Sequence, residues 1–220
     1  MNSLKQVQNG IFASQRELDD LKKKEKARIL VYSDSHGDVQ IVSRILEQFG
    51  PSCDALVFAG DGIYDLLSVL EQSLQYKEVK EWLPPVICFV RGNNDYSYAS
   101  ATFEKKICVP KHLILEVGSR KILVTHGNEE GVYYDTTGIE MAAEIAGANS
   151  VIYGHTHFPM ENNHVIYSLN PGSCSCPRLS SPRSCCVLEV LGKNVFAIFY
   201  KINSGYKTEF EPYFPDRYYF

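Results

Sequence analysis

Three short apolar runs in the first hundred residues each end in a polar loop containing glycine, and the first two are followed by amphipathic stretches. Residues 28–33 (RILVYS) lead into Asp34-Ser35-His36-Gly37-Asp38. Val39, Val42, Ile45, Leu46 and Phe49 then recur at helical spacing, and Gly50-Pro51 stops that helix. Residues 54–59 (DALVFA) lead into Gly60-Asp61-Gly62, after which Ile63, Leu66, Leu67, Leu70 and Leu74 mark a second helix. Val86 to Val90 ends in Arg91-Gly92-Asn93-Asn94-Asp95. A β-α-β-α-β succession with a polar loop after every strand confines this half of the chain to the α/β class.

The second half changes pattern. Residues 112–117 and 120–125 flank Gly118-Ser119, a hairpin signal, and the second arm ends in Thr125-His126-Gly127. Ile139, Ala142, Ala143 and Ala146 suggest a helix. Val151 to Tyr153 is a strand ending in Gly154-His155-Thr156-His157, and residues 164–169 a strand before Asn170-Pro171-Gly172-Ser173. Residues 185–191 and 194–201 flank Gly192-Lys193, a second hairpin. Mixed strands with helices in both halves predict two sheets packed face to face, with helices outside.

Neither repeats nor a low-complexity linker divide the chain, so residues 28–202 are expected to form one domain. Its 220 residues suffice for a large core. Residues 1–27 are expected to be a helical extension. Leu18 and Leu21 mark its apolar side, and the run from Lys22 to Lys26 is a solvated face rather than a nucleic-acid patch. Residues 203–220 carry Tyr206, Phe210, Tyr213, Phe214, Tyr218, Tyr219 and Phe220, and this tail is expected to pack on the domain or on a second copy of the chain. Net charge is -4, so the chain as a whole is no electrostatic trap for nucleic acid. Small substrates fit better. No apolar run approaches the roughly 20 residues of a membrane span, and the N-terminus lacks the apolar core of a secretory signal. The seven cysteines are odd in number and show no framework spacing. Cytoplasm is the expected location. Cys174 and Cys176 form a CxC pair, but no second cysteine pair or nearby histidine completes a zinc set.

Asp34, His36, Asp61, Asn93, His126, His155 and His157 all lie at or just past expected strand ends, where ligand sites of open α/β sheets gather. Any one of them alone reads as an ordinary loop residue. Five separate strand ends supplying ligand types together do not. The set is oxygen and imidazole nitrogen throughout, which suits Mn²⁺, Fe²⁺, Zn²⁺ or Ni²⁺ and does not favour a soft thiolate site. Asp34-x-His36 and His155-x-His157, read as extended segments, would aim alternate side chains the same way. Two divalent ions against two carboxylates leave a surplus near +2, which suits an anionic phosphate and a hydroxide between the metals.

SDSHG, GDG, RGNND, THG, GHTH and NPGS, in this order over roughly residues 28–190, resemble the calcineurin-like metallophosphoesterase family. The short form is similar to its small bacterial and archaeal phosphodiesterase branch, which is related to the vacuolar-sorting protein 29 fold. The resemblance implies a four-layer α/β/β/α sandwich of two mixed sheets. It implies a phosphoesterase, most simply a phosphodiesterase, acting by in-line attack with two divalent ions, Mn²⁺ first among them. It places Asp34, His36, Asp61 and His157 on one metal and Asp61, Asn93, His126 and His155 on the other, so that Asp61 bridges. Asp95 and Arg91 take supporting places behind the ligands, and Asn170 buttresses a loop. Two positions depart from the pattern. Asn94 stands where many members carry a proton-donating histidine, and Asn128 stands where the short branch commonly ends THGH. Neither amide titrates near neutral pH. His112 and His164 flank strands away from the ligand loops and are not expected to replace the missing donor.

A metal-poor binding scaffold on the same fold would typically have lost ligands, and this chain keeps seven; a phosphomonoesterase shares every feature above. An amidohydrolase would carry HxH after the first strand of a barrel of ~250 residues. A dinucleotide fold would need a glycine where Asp65 stands.

Overall fold

The computed structural model describes residues 2, 4–133, 135–178, 180–204 and 208–215. Its first half runs β1 (Gln6–Gln8), β2 (Ile11–Phe12), α1 (Gln15–Lys22), β3 (Lys26–Tyr32), α2 (Val39–Phe49), β4 (Ala55–Phe58), α3 (Ile63–Gln75), α4 (Lys77–Glu81) and β5 (Val86–Phe89). A small hairpin, β6 (Tyr98–Ala101) and β7 (Glu104–Cys108), then precedes a larger one, β8 (His112–Val117) and β9 (Arg120–Thr125). There follow α5 (Thr137–Ile145), β10 (Ser150–Ile152), β11 (Pro159–Asn163), β12 (Tyr167–Pro171), β13 (Ser184–Leu191), β14 (Asn194–Ser204) and β15 (Thr208–Tyr213).

Strands β3, β4 and β5 are parallel and form the centre of an eight-stranded sheet ordered β1-β2-β5-β4-β3-β13-β14-β15. A strand alternates its side chains between two faces, and here both faces are covered, which is why the runs are apolar throughout. Ile29 and Val31 face the second sheet with Ala55, Val57, Val86 and Cys88. Leu30 and Tyr32 face the other way, onto Val42, Ile45 and Leu46 of α2 and Leu66 and Leu70 of α3. The second sheet, ordered β11-β12-β10-β9-β8, lends Leu113, Leu115, Ile122, Val124, Ile152 and Leu169 to the core between the sheets. It turns Leu123 and Val151 outward onto Ile139 and Ala143 of α5. Helix, sheet, sheet and helix therefore form four layers.

Local signals start the helices where the sequence places them. Ser14 and Glu17 form a reciprocal capping box on α1. Asp38 Oδ1 accepts from Ile41 N at 3.0 Å to cap α2. The N-terminal stretch is helical only over Gln15–Lys22; Gln6–Gln8 and Ile11–Phe12 are strands, and β2 extends the large sheet antiparallel to β5. Leu21 is buried in the core between the sheets with Leu18 partly buried against it. Lys22 and Lys24 of the charge run pair at the surface with Glu116 and Asp54.

At the other end, Phe210 packs edge-on to Phe49 (ring centroids 5.0 Å apart) and Tyr213 packs on Phe199 (6.1 Å), whereas Phe214 is 98% exposed. Tyr206, Tyr218, Tyr219 and Phe220 lie outside the described residues. Among the described residues no helix is long and apolar enough to cross a membrane.

Candidate metal centre

The loops after β3, β4, β5, β9 and β10 carry Asp34 and His36, Asp61, Asn93, His126, and His155 and His157 respectively. Three of those strands belong to the large sheet and two to the small one, so the loops face each other across one end of the sandwich. Asp34 Oδ1 is the hub. It lies 3.2 Å from His157 Nε2, 3.8 Å from His36 Nε2 and 3.9 Å from His126 Nε2. Asp61 Oδ2 reaches both sides, at 3.8 Å from His36 Nε2 and 3.5 Å from His126 Nε2. Two overlapping groups result, Asp34 with His36 and His157, and Asp34 with Asp61 and His126. The ring of His155 meets that of His126 edge-on, with centroids 5.0 Å apart.

These side chains do not meet by strand alternation, as the sequence reading expected of Asp34-x-His36 and His155-x-His157. Among the described residues, six that are not glycine have positive φ, and five are Asp34, His36, Asp61, His155 and His157. Each sits past its strand end in left-handed backbone, where an L side chain is disfavoured by roughly 1–3 kcal/mol. Asp tolerates that region better than most residues, and the rest of the cost is met by bonds that hold the loops.

Asp95 supplies the densest set of those bonds. Its Oδ2 accepts from Asp61 N (2.8 Å) and Gly92 N (3.0 Å), and its Oδ1 from Gly62 N and Ile63 N (both 3.0 Å). Asp65, in the first turn of α3, is its counterpart for the β3 loop: Oδ2 accepts from Ser35 Oγ (2.6 Å) and Gly37 N (2.9 Å). Ser173 and Ser175 donate to the carbonyl of Asp34 at 2.7 and 3.0 Å. Asn170 donates to the carbonyl of Gly154 (2.7 Å) and to Thr156 Oγ1 (3.1 Å), spanning the loop of the two histidines. Gly92 must lack a side chain, because a Cβ there would fall on Asp61 Oδ1 and its backbone nitrogen.

Main-chain carbonyls fix the histidine tautomers. His126 Nδ1 donates to Ala59 O at 2.7 Å, and His157 Nδ1 donates to Cys176 O. A carbonyl only accepts, so in the neutral imidazole the proton sits on Nδ1 and Nε2 presents a lone pair. Those lone pairs point at carboxylate oxygens. Asp34 Oδ1 and His126 Nε2 are buried with no hydrogen-bond partner. Acceptors converging on acceptors, two of them orphaned, are what a bound cation would satisfy, and the oxygen and nitrogen donors suit a divalent transition metal. In the absence of an ion the charges lean on each other. Burial opposes a charged His126, yet Asp61 and Asp34 hold its pKa above the usual histidine value. Burial would raise Asp61, but His126 and the two donors of Asn94 hold it well below the carboxylate range. Burial and the neighbouring His126 bring His155 down to about 4, which keeps it neutral.

Asn93 is exposed and lines a cleft with Arg91, Lys111, His112, Asn128 and Glu130. Asn94 turns to the carboxylate of Asp61, its backbone N on Oδ1 (2.8 Å) and its Nδ2 on Oδ2 (2.6 Å). Arg91 donates to Ser97 Oγ. His112 was expected to lie away from the ligand loops, but it shares the cleft with Asn93. The register His112↔Thr125 puts the start of β8 at the strand end that carries His126, an edge shared only through the hairpin. The sequence reading missed the holding roles of Asp65, Ser173 and Ser175. The acid at the head of α3 was the available signal for the first. No cysteine belongs to a candidate metal group among the described residues.

The chain matches the Calcineurin-like phosphoesterase superfamily domain over residues 28–193. It is 29% identical over 163 residues to the phosphodiesterase YfcE of Escherichia coli strain K12, covering 71% of this chain and 84% of that one. A crystal structure from Streptococcus pneumoniae, described as a predicted phosphoesterase, superposes with a TM-score of 0.61 at 26% identity, over 86% of this chain and 98% of that one. Vacuolar protein sorting 29 from Cryptosporidium parvum shares the fold at 16% identity, with a TM-score of 0.62 over 87% of this chain and 99% of that one. With all six motifs inside the matched residues and their side chains gathered at one end of the sandwich, the chain belongs to the calcineurin-like phosphoesterase superfamily and is a metallophosphoesterase.

Proposed function

We propose that this protein is a phosphodiesterase that uses two divalent ions, Mn²⁺ first among the candidates, to hydrolyse a small phosphate ester by in-line attack. The observation that carries the reading is the convergence of the Nε2 atoms of His36, His126 and His157 on Asp34 Oδ1 at 3.2–3.9 Å, with Asp34 Oδ1 and His126 Nε2 buried and without a hydrogen-bond partner. Asp34, His36, Asp61 and His157 would hold one ion, and Asp61, Asn93, His126 and His155 the other. The ions would supply Lewis-acid charge to phosphoryl oxygens and lower the pKa of an attacking water. The chain's own contribution is position. Asp95 and Asp65 hold the loops, the carbonyls of Ala59 and Cys176 aim two imidazoles, and Asn94 steadies the carboxylate of Asp61 rather than offering a proton. Without a histidine at position 94, a leaving group of low pKa is the better substrate. A cytoplasmic location agrees with the free cysteines.

A metal-free scaffold is the weaker reading, because it would leave Asp34 Oδ1 and His126 Nε2 buried and unsatisfied at ~1–3 kcal/mol each. The test is elemental analysis of the purified protein, followed by a panel of phosphomonoesters and phosphodiesters with Mn²⁺, Mg²⁺, Ni²⁺ and Zn²⁺. About two ions per chain and faster diester turnover are expected. Protein that takes up no metal and cleaves neither class would overturn the proposal.

A further inference from the structure

We infer that Arg178, braced by Tyr133, is the clamp that receives the substrate's phosphate at this site; the inference rests on the phosphoesterase reading above. Neither residue belongs to the metal set. Tyr133 lies in the loop between β9 and α5, and its ring packs on the ring of His155 with centroids 4.5 Å apart and planes at 60°. Its hydroxyl lies 3.4 Å from the His155 carbonyl oxygen. Arg178 comes from the loop between β12 and β13. Its guanidinium carbon is 5.3 Å from the centre of the Tyr133 ring, and its Nη1 donates to the Tyr133 hydroxyl. Arginine, tyrosine and histidine thus touch in series from the exposed Arg178 to His155 of the candidate metal set.

The loop that carries Arg178 is bolted to both sides of that centre. Ser173 and Ser175 donate to the Asp34 carbonyl, and the Cys176 carbonyl orients His157. Arg178 follows two residues later, so the bonds that place the ligands also place the guanidinium. Among the described residues it has no carboxylate partner; its hydrogen bond and its ring contact are both to Tyr133. Of the other cations near the site, Lys111 pairs with Glu129, His112 with Glu130, Arg183 lies near Asp38, and Arg91 is turned to Ser97 Oγ. Arg178 is exposed, and its positive charge is felt at the His155 ring. A planar fork with free N–H donors, held above a phosphoryl-transfer site on an aromatic ring, suits two oxygens of one phosphate. It makes its contact with oxygens that do not leave, so it is indifferent to the leaving group and serves mono- and diesters alike.

Inorganic phosphate is the probe. Its binding to Mn²⁺-loaded protein is measured by calorimetry for wild type, Arg178→Ala, Arg178→Lys and Tyr133→Phe, alongside metal content and the kinetics of bis(nitrophenyl) phosphate. Loss of a charge-assisted pair predicts phosphate binding at least about tenfold weaker in Arg178→Ala, with metal content unchanged. KM should rise more than kcat falls. Arg178→Lys should recover part of the loss, since it keeps charge but not the fork. Tyr133→Phe should cost a few-fold, and nothing further when Arg178 is already Ala. Phosphate affinity within twofold of wild type in Arg178→Ala, with metal retained and the wild type active, overturns the clamp alone. Wild-type protein that binds metal but neither binds phosphate nor cleaves esters overturns the phosphoesterase reading, and the clamp with it.

Discussion

Replacing Asp95 tests whether Asp61, the proposed bridging ligand, is held by its neighbours or holds itself. Asp95 accepts four backbone N–H bonds at 2.8–3.0 Å, two on each oxygen, and those donors start at Asp61 itself. A hydrogen bond to a charged group contributes ~1.5–3 kcal/mol, and four that share one carboxylate are not additive. The site is only part-buried, so water can reach some of the freed N–H groups. About 3–4 kcal/mol is therefore expected for Asp95→Ala, a large share of a total stability of ~5–15 kcal/mol. Asp95→Asn recovers little, because its single carbonyl serves two of the donors and its amide nitrogen confronts the other two. The loss should also reach the metal. Asp61 sits at φ 60°, and without the bonds at Asp61 N and Gly62 N its backbone can relax to a commoner conformation. The assay is urea denaturation of the chelated protein, with metal affinity measured separately. Metal-free stability within 0.5 kcal/mol of wild type, on the scale of a neutral surface substitution, together with unchanged metal affinity, would refute the reasoning.

Asp61→Asn keeps the shape and removes the charge that both halves of the set share; both ions should bind more weakly and turnover should nearly vanish, and near-normal metal content with normal turnover would sink the bridging role. Asn94→His should introduce a proton donor while removing the Nδ2 bond to Asp61 Oδ2. Metal affinity should then fall, but at saturating metal the rate should depend less on leaving-group pKa than in wild type; an unchanged dependence refutes the account of Asn94. The pair His112–Glu130 should make stability depend on pH. His112 is raised first by its bond to Glu130, so its stabilisation is full below its ordinary value of 6.5 and is lost as pH rises through the raised one. Glu130 is lowered despite burial, so its stabilisation is full above its ordinary 4.5 and is lost as pH falls. His112 is about half exposed, so His112→Gln should cost no more than about 0.5 kcal/mol at pH 5.5 and nothing at pH 9; an equal cost at both pH values shows that the pair is not responsible.

The parts of the fold legible in the sequence are those where one local pattern matches one environment. LVFA and VICFV read as strands because both faces are covered, and α2 and α3 show their buried faces at helical spacing. Gly118-Ser119 and Gly192-Lys193 join strands that are paired residue by residue. What escaped depends on distant neighbours. Ile11–Phe12 is a strand because β5 offers a free edge, and two residues carry no periodicity of their own. Pro159–Asn163 is mostly polar and has a proline at its first position, the place an edge strand tolerates one. Its pairing with Tyr167–Pro171 also moves the strand expected over 164–169 to a later start. That β13 pairs antiparallel with β3, completing the large sheet, is a long-range contact with no local signal.

The same division runs through the site. Strand ends, glycines and side chains that bind metals are written in one-letter code, so the gathering of Asp34, His36, Asp61, His126, His155 and His157 at one end of the sandwich could be anticipated. The means of gathering could not. Glycine announces left-handed backbone, but here Asp and His adopt it, and the reason lies in partners far along the chain: Asp95 for Asp61, Ser173 and Ser175 for Asp34, Asn170 for the histidine loop. Carbonyls are less legible still, since every residue has one; nothing in Ala59 or Cys176 marks it as the acceptor that fixes an imidazole. This division has a chemical consequence. A backbone carbonyl keeps the proton of the neutral ring on Nδ1, so Nε2 is the nitrogen that His126 and His157 turn to the site before any ion arrives. Loops tied to one another at the strand ends hold the acceptors in place although they repel. An ion entering such a site finds its ligands already oriented, and the reorganisation cost falls on folding instead of on binding. Metal binding at the proposed set should therefore change the global shape of the chain little.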